Sequence, residues 1–231
     1  MNATNEYGQP IGAPLIGSYP RPLPPRTPMT GRYCSLVPVS LDHAAGLYDA
    51  FQTAEDGRHW TYLPADPFTS PADACGFVEK AQASDDPLYF TVLDGTGQPV
   101  GWASYLRIDP ANGVIEVGWI NFSPLLQQTI ASTEAMFLMM ARVFDELGYR
   151  RYEWKCDALN APSRRAAQRL GFTYEGTFRQ AVHYKGRNRD TAWFSVLDTE
   201  WPALREEFRR WLAADNFDAH GQQKSRLAMP E

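Results

Sequence analysis

The stretch Gly113-Val-Ile-Glu-Val-Gly-Trp-Ile-Asn-Phe122 reads as a strand with a carboxylate in its middle, and the succession of elements after it decides the fold. Ser123 to Ala131 forms a loop. Ser132-Thr-Glu-Ala135 then opens a long helix stopped by Gly148. A second strand, Tyr152 to Asp157, ends at Asn160 and gives way to a short helix running to Gly171. A loop that enters a helix leaves the first backbone N–H groups without acceptors. With the positive end of the helix dipole, these suit a phosphate-bearing ligand.

Around this block, Arg32 to Val39 reads as a strand and Leu41 to Gln52 and Ala72 to Ala83 as helices. Leu88 to Leu93 and Val100 to Ile108 read as strands about the turn Asp94-Gly-Thr-Gly97. Downstream, Thr173 to Tyr184 and Asp190 to Leu197 form a hairpin about Lys185-Gly-Arg-Asn188. A last helix carries Leu204, Phe208, Trp211 and Leu212 on one stripe, with Pro202 near its start. Hairpins plus one strand-helix-strand crossover predict an α+β domain: a mixed, mostly antiparallel sheet flanked by helices.

Residues 1–30 are rich in Pro and Gly, extreme in Pro20-Arg-Pro-Leu-Pro-Pro25, and read as an extended arm. Residues 31–214 read as one domain and 215–231 as a polar, frayed tail. At 231 residues the chain is long enough to be stable without a metal or disulfide staple. Its 44% hydrophobic and 21% charged residues are ordinary for a globular protein. Three cysteines, Cys34, Cys75 and Cys156, with no CxxC pair, point to buried thiols in a reducing, cytoplasmic setting. No apolar run is long enough to span a membrane. A net charge of -5 argues against a general nucleic-acid binder and suits a cationic acceptor such as an amine.

Alternation along the first strand places Val114, Glu116, Gly118, Ile120 and Phe122 on one face, and Ile115, Val117, Trp119 and Asn121 on the other. Both faces are largely apolar, so Glu116 should be desolvated and its carboxyl raised toward the range of a general base. Gly118 leaves space beside it. The alternative is a glutamate that faces solvent or pairs with an arginine. In the long helix, Met136, Met140, Val143, Phe144 and Leu147 define a buried stripe, with Glu134, Arg142, Asp145 and Glu146 away from it. Asn160 or Ser163 would cap the short helix, whose first turn holds Pro162.

The order strand, loop, helix, strand, Asn, Ser-bearing helix and Gly-Phe resembles the GNAT superfamily of acetyl-CoA-dependent N-acetyltransferases. Ser132-Thr-Glu-Ala135, Asn160-Ala-Pro-Ser163, Leu170-Gly-Phe172, Tyr174-Glu-Gly176 and Asp198-Thr-Glu-Trp201 are most similar to the branch that includes the ribosomal-protein N-terminal acetyltransferases. The resemblance spans about Gly31 to Trp201. It implies a central sheet with a splayed strand pair at the cofactor site. It implies transfer of acetyl from acetyl-CoA, as co-substrate, to a primary amine, either a protein N-terminus or a small amine, by direct attack on the thioester.

In site terms, the resemblance implies Glu116 as the base and Ser163 as the acid for the departing thiolate. Relatives often carry a tyrosine later in that helix, at the position of Ala167. The backbone at Ile120 to Phe122, the loop Gln128, Thr129, Ile130 and Ala131, and Ser132 and Asn160 would hold the cofactor. Gln128 and Ile130 stand where the family commonly has glycines. No metal is implied. His183 and Tyr184 are candidates for the acceptor pocket, and Arg164, Arg165 and Arg169 read as a solvated face. The oligomer is a monomer or homodimer. The alternative function is a non-catalytic acyl-CoA-binding or interaction module with a degenerate site.

Overall fold

The structure, a computed structural model, describes residues 3–230. A small exposed hairpin, β1 (Ala3–Thr4) and β2 (Pro10–Ile11), precedes the main sheet. That sheet comprises β3 (Met29–Thr30), β4 (Cys34–Pro38), β5 (Leu88–Asp94), β6 (Pro99–Asp109), β7 (Val114–Phe122), β8 (Arg151–Asp157), β9 (Thr173–Tyr184) and β10 (Arg187–Leu197). Its order is β3-β4-β5-β6-β7-β8-β10-β9, and every pairing is antiparallel except β7 with β8. This is the α+β, mostly antiparallel arrangement that the sequence predicts.

Local chemistry sets the turns. The Asp94 carboxylate accepts from the Thr96 and Gln98 N–H groups at the first hairpin, and Gly97 takes φ +84°. Lys185 and Gly186 both have positive φ (49° and 68°), the turn that matches strand twist in a two-residue hairpin. Helix α1 (Ala44–Gln52) comes after a short 3-10 turn. Helix α2 (Pro71–Ala83) starts from a Ser70–Asp73 capping box with Pro71 in its first turn.

Two apolar layers cover the sheet. On one face α3 (Ile130–Ala141), a π-helical turn at Arg142–Glu146, α4 (Ala161–Arg169) and α5 (Trp201–Leu212) enclose the larger core. That core includes Tyr105, Ile115, Val117, Met136, Met139, Met140, Tyr152, Phe194 and Phe208. On the other face α1 and α2 close over an aromatic cluster of Phe51, Trp60, Phe68, Tyr89 and Trp102. The α5 stripe is as expected, and Trp201 adds to it by stacking on Phe144 at 5.3 Å.

Four expectations are corrected. Glu134 is buried: its carboxylate accepts from the backbone N–H groups of Arg32, Tyr33 and Cys34, which lie about a hundred residues upstream. Arg142 is also buried, pairing with Glu146 and donating to the carbonyls of Thr27 and Pro28. The polar tail is not frayed. Asn216 is buried, bonded to Trp211 and Ser225, and Leu227 and Met229 pack on the core. Finally, Cys34 and Cys156 are buried, but Cys75 is exposed.

The Pro-rich arm lies across the domain. Arg21 N–H donates to the Pro110 carbonyl, its guanidinium sits over Tyr19, and β3 joins the sheet. Among the described residues, no helix is long and apolar enough to cross a membrane.

Candidate active site

The parallel pair β7–β8 is bonded only at its start, from Val114–Arg151 through Val117–Trp154. Beyond Val117 the strands part, so the β8-side edge of residues 118–122 has no strand partner and, apart from the Phe122 carbonyl that Gln127 holds, its polar groups are open to another molecule. Helix α3 begins at Ile130, directly after this opening.

A β-bulge shapes β7 at the same point. Trp102 and Ser104 of β6 face Asn121 and Gly118, so Ala103 alone opposes both Trp119 and Ile120, and Trp119 takes φ +49°. The extra residue reverses the alternation. Ile120 and Phe122 pack on the α3-side core with Ile115 and Val117, whereas Trp119 packs on the α1/α2 cluster. The expectation that Ile120 and Phe122 share a face with Glu116 is therefore corrected.

Glu116 is buried in register with Glu153 of β8 and Leu106 of β6. Its Oε2 lies 2.8 Å from Lys155 Nζ and 3.4 Å from Arg107 Nε. Burial raises the carboxyl pKa above its ordinary value, and Lys155 and Arg107 oppose that rise without cancelling it. Both sequence readings of Glu116 hold in part: it is desolvated, and it is paired. An alanine-like Cβ at Gly118 would stand 3.4 Å from Oε1 and 2.9 Å from the Leu106 side chain, so only glycine keeps this flank of the carboxylate open. Arg107 reaches Glu116 from a second irregularity in β6, where its φ is +48° and its N–H donates to Asp86.

The loop before α3 is built tightly. Gln128 has φ +59°, so one of the two positions where the family commonly has glycine does demand a left-handed backbone, and a glutamine bears it. Ile130, the other, is the first residue of the helix. Thr129 is the N-cap: its hydroxyl accepts from Ser132 N–H at 3.1 Å and donates to the Leu126 carbonyl. The Ser132 hydroxyl donates to the Thr129 carbonyl. The two hydroxyls are thus engaged within the loop, and the N–H groups of Ile130 and Ala131 remain for an anion. Gln127 Nε2 donates to the Phe122 carbonyl at 2.7 Å and contacts His59 Nδ1, tying the α1–α2 connection to this loop.

Asn160 caps α4 through Ser163 N–H. Ser163 Oγ accepts the indole N–H of Trp154 at 3.0 Å, on the sheet face opposite Glu116. The two candidate proton-transfer groups therefore flank the splay from its two sides. Arg169 donates to Thr133 Oγ1, Arg164 lies over Tyr174, and Arg165 is exposed. His183 is exposed, while the buried Tyr184 donates to Asp157. The hairpin tip reaches across to the α1–α2 connection, where Lys185 donates to the Trp60 carbonyl and Arg187 to that of Thr61.

The family model of the acetyltransferase (GNAT) domain matches residues 35–173, more than half of the chain. The chain belongs to the GNAT acetyltransferase family. A crystal structure of a GCN5-related N-acetyltransferase from Brucella melitensis is 50% identical, with TM-score 0.90, covering 92% of this chain and 97% of that one. The uncharacterized N-acetyltransferase p20 of Bacillus licheniformis is 27% identical over 147 residues, 61% of this chain and 80% of that protein. YdaF of Bacillus subtilis, named provisionally as a ribosomal N-acetyltransferase, is 28% identical over 106 residues, 46% of this chain and 57% of that protein. As a GNAT member the chain is an acyltransferase of the acetyl-CoA-using kind, and the splay, the open β7 edge and the α3 N-terminus fit a CoA thioester.

Lys155, Arg107 and Trp154 are site residues that the sequence reading did not single out. For Lys155 a signal existed: Glu153 and Lys155 alternate with Trp154 and Cys156 along one strand, so two opposite charges share a face beside Glu116.

Proposed function

We propose that the protein transfers acetyl from acetyl-CoA to a primary amine, a protein N-terminus or a small amine, by direct attack on the thioester. The observation that carries this reading is Glu116: a buried carboxylate with one oxygen paired and the other beside Gly118 at the mouth of the β7–β8 splay. In this reading Glu116 takes a proton from the amine, directly or through one water. The amine nitrogen bonds to the acetyl carbon and the carbon–sulfur bond breaks. Backbone N–H groups on the open edge at Ile120 to Phe122 stabilise the charge that develops on oxygen. Ser163 supports the leaving sulfur: its oxygen accepts from Trp154, and its hydroxyl proton, which also bonds the Cys156 sulfur, turns to the departing thiolate. In the loop that Gln128, Thr129 and Ser132 shape, the free N–H groups of Ile130 and Ala131 hold the diphosphate, and Asn160, whose Oδ1 caps α4, has its Nδ2 left to bond the passing arm.

The test is free-thiol release from acetyl-CoA across a panel of amines, with Glu116→Gln beside the wild type. Turnover should fall at least about a hundredfold, the usual yield of a positioned base, while CoA affinity by calorimetry stays the same. If the wild type binds CoA but releases no thiol with any amine, the rival reading, a binding module with a degenerate site, takes its place.

A further inference from the structure

A chain of charged groups, buried at Glu116, Lys155 and Glu153, runs outward across the sheet to Arg151 and Glu175. Lys155 Nζ lies 2.8 Å from Glu116 Oε2 and 2.7 Å from Glu153 Oε2, and 3.8 Å from the centre of the Trp193 ring. Its side chain is 5% exposed. Arg151 pairs with the far side of Glu153 at 2.6 Å and, through two bonds, with Glu175, whose carboxylate also accepts from Ser195. A lysine held this way has little freedom, because two carboxylates and an aromatic face fix its ammonium from three directions.

The two oxygens of Glu116 are consequently unlike. Oε2 is enclosed and faces Lys155 and Arg107. Neither oxygen accepts a hydrogen bond of ordinary geometry from the described residues: Oε2 is held by ion pairing alone, while Oε1 lies beside Gly118, where β7 and β8 part. We propose that Lys155 is a positioning residue of the reaction: by holding Oε2 of Glu116 it keeps the carboxylate ionised inside the sheet and presents Oε1 as the atom that receives the amine proton.

This inference rests on the reading of Glu116 as the base and adds the group that makes the base usable. In the proton transfer, the N–H bond of the amine breaks and an O–H bond forms at Oε1; Lys155 keeps its own protons throughout. The charged groups facing Glu116 are Lys155 and Glu153 from β8 and Arg107 from β6, and β10 contributes the Trp193 ring. Arg107 is 60% exposed, so water screens it, and the enclosed Lys155 is the stronger partner.

The experiment is a carbon-13 NMR titration of the Glu116 carboxyl in protein labelled at glutamate, assigned by its loss in Glu116→Gln, with no acceptor needed. In Lys155→Met and in Lys155→Gln the titration midpoint should move up by about 1 to 3 pH units, the usual effect of losing an adjacent opposite charge. Lys155→Arg should restore it. The acidic limb of thiol release with any amine that is turned over should move upward by the same amount. Two neutral variants are used so that poor folding of one leaves the other to be read, and thermal melting identifies the folded one. A lysine that only props up the sheet would lower the melting temperature and leave the midpoint and the limb in place, which overturns the proposal. If Glu116→Gln retains full turnover, the base assignment itself fails, whatever the lysine variants do.

Discussion

The indole N–H of Trp154 points at the Ser163 hydroxyl oxygen, 3.0 Å away, tying the last residue of β8 that pairs with β7 to the first turn of α4. This bond gives Ser163 two duties that can be separated. It satisfies a buried donor, and it leaves the hydroxyl proton to be shared between the Cys156 sulfur and the splay.

Ser163→Ala should therefore cost about 1 to 3 kcal/mol of stability, because Trp154 Nε1 would be left buried without a partner. If Ser163 is also the acid, kcat should fall about tenfold or more with KM for acetyl-CoA unchanged. Trp154→Phe in the Ser163→Ala background removes the orphaned donor, and stability should recover in part while turnover should not. Urea melts and steady-state thiol release measure the two effects. Recovery of turnover along with stability would reduce Ser163 to a structural partner.

The loop before α3 makes a second prediction. Gln128 sits at φ +59°, a conformation that costs a residue with a Cβ about 1 to 2 kcal/mol. Glycine adopts it freely but loses about 0.5 to 1 kcal/mol more chain entropy on folding. Gln128→Gly should then be neutral to stabilising by up to about 1 kcal/mol, whereas Gln128→Val, β-branched, should destabilise. Chemical denaturation gives the sign. Since the contacts to an anion are backbone N–H groups, CoA affinity by calorimetry should not fall in the glycine variant.

Strand and helix positions were legible because alternation and turn residues are local. Thr173 to Tyr184 agrees with the observed β9 end to end, and α2 differs from its expected start by one residue. Features set by distant pairing were hidden. The reversal of faces at Trp119 depends on how β7 registers against β6, and nothing within Val114–Phe122 announces it. Glu134 reads as a surface residue until the turn at Gly31 to Cys34 folds three N–H groups onto it. The tail reads as frayed because its composition is polar, yet those polar groups bind one another: the Asn216 side chain meets Trp211 and Ser225, and Gln223 accepts from the Trp211 indole. At the site, Glu116 was visible as an anomaly in an apolar strand. Lys155 required knowing that β8 lies parallel to β7 and in register with it.

The outer end of the charge chain predicts an acid-labile contribution. Hydrogen bonds from Arg151, and then from Ser195, hold the Glu175 carboxyl down at about 2, against a starting value of 4.5. A depressed folded value means the contribution is complete above the unfolded value, near pH 4.5, and disappears as pH falls toward 2. The Glu175 side chain is 38% exposed, so water screens the pair and the effect is modest. Thermal melts of wild type and Glu175→Gln should differ most above about pH 5 and converge in strong acid. A stability gap between the two proteins that does not narrow on acidification would mean that Glu175 is not ionically held in solution.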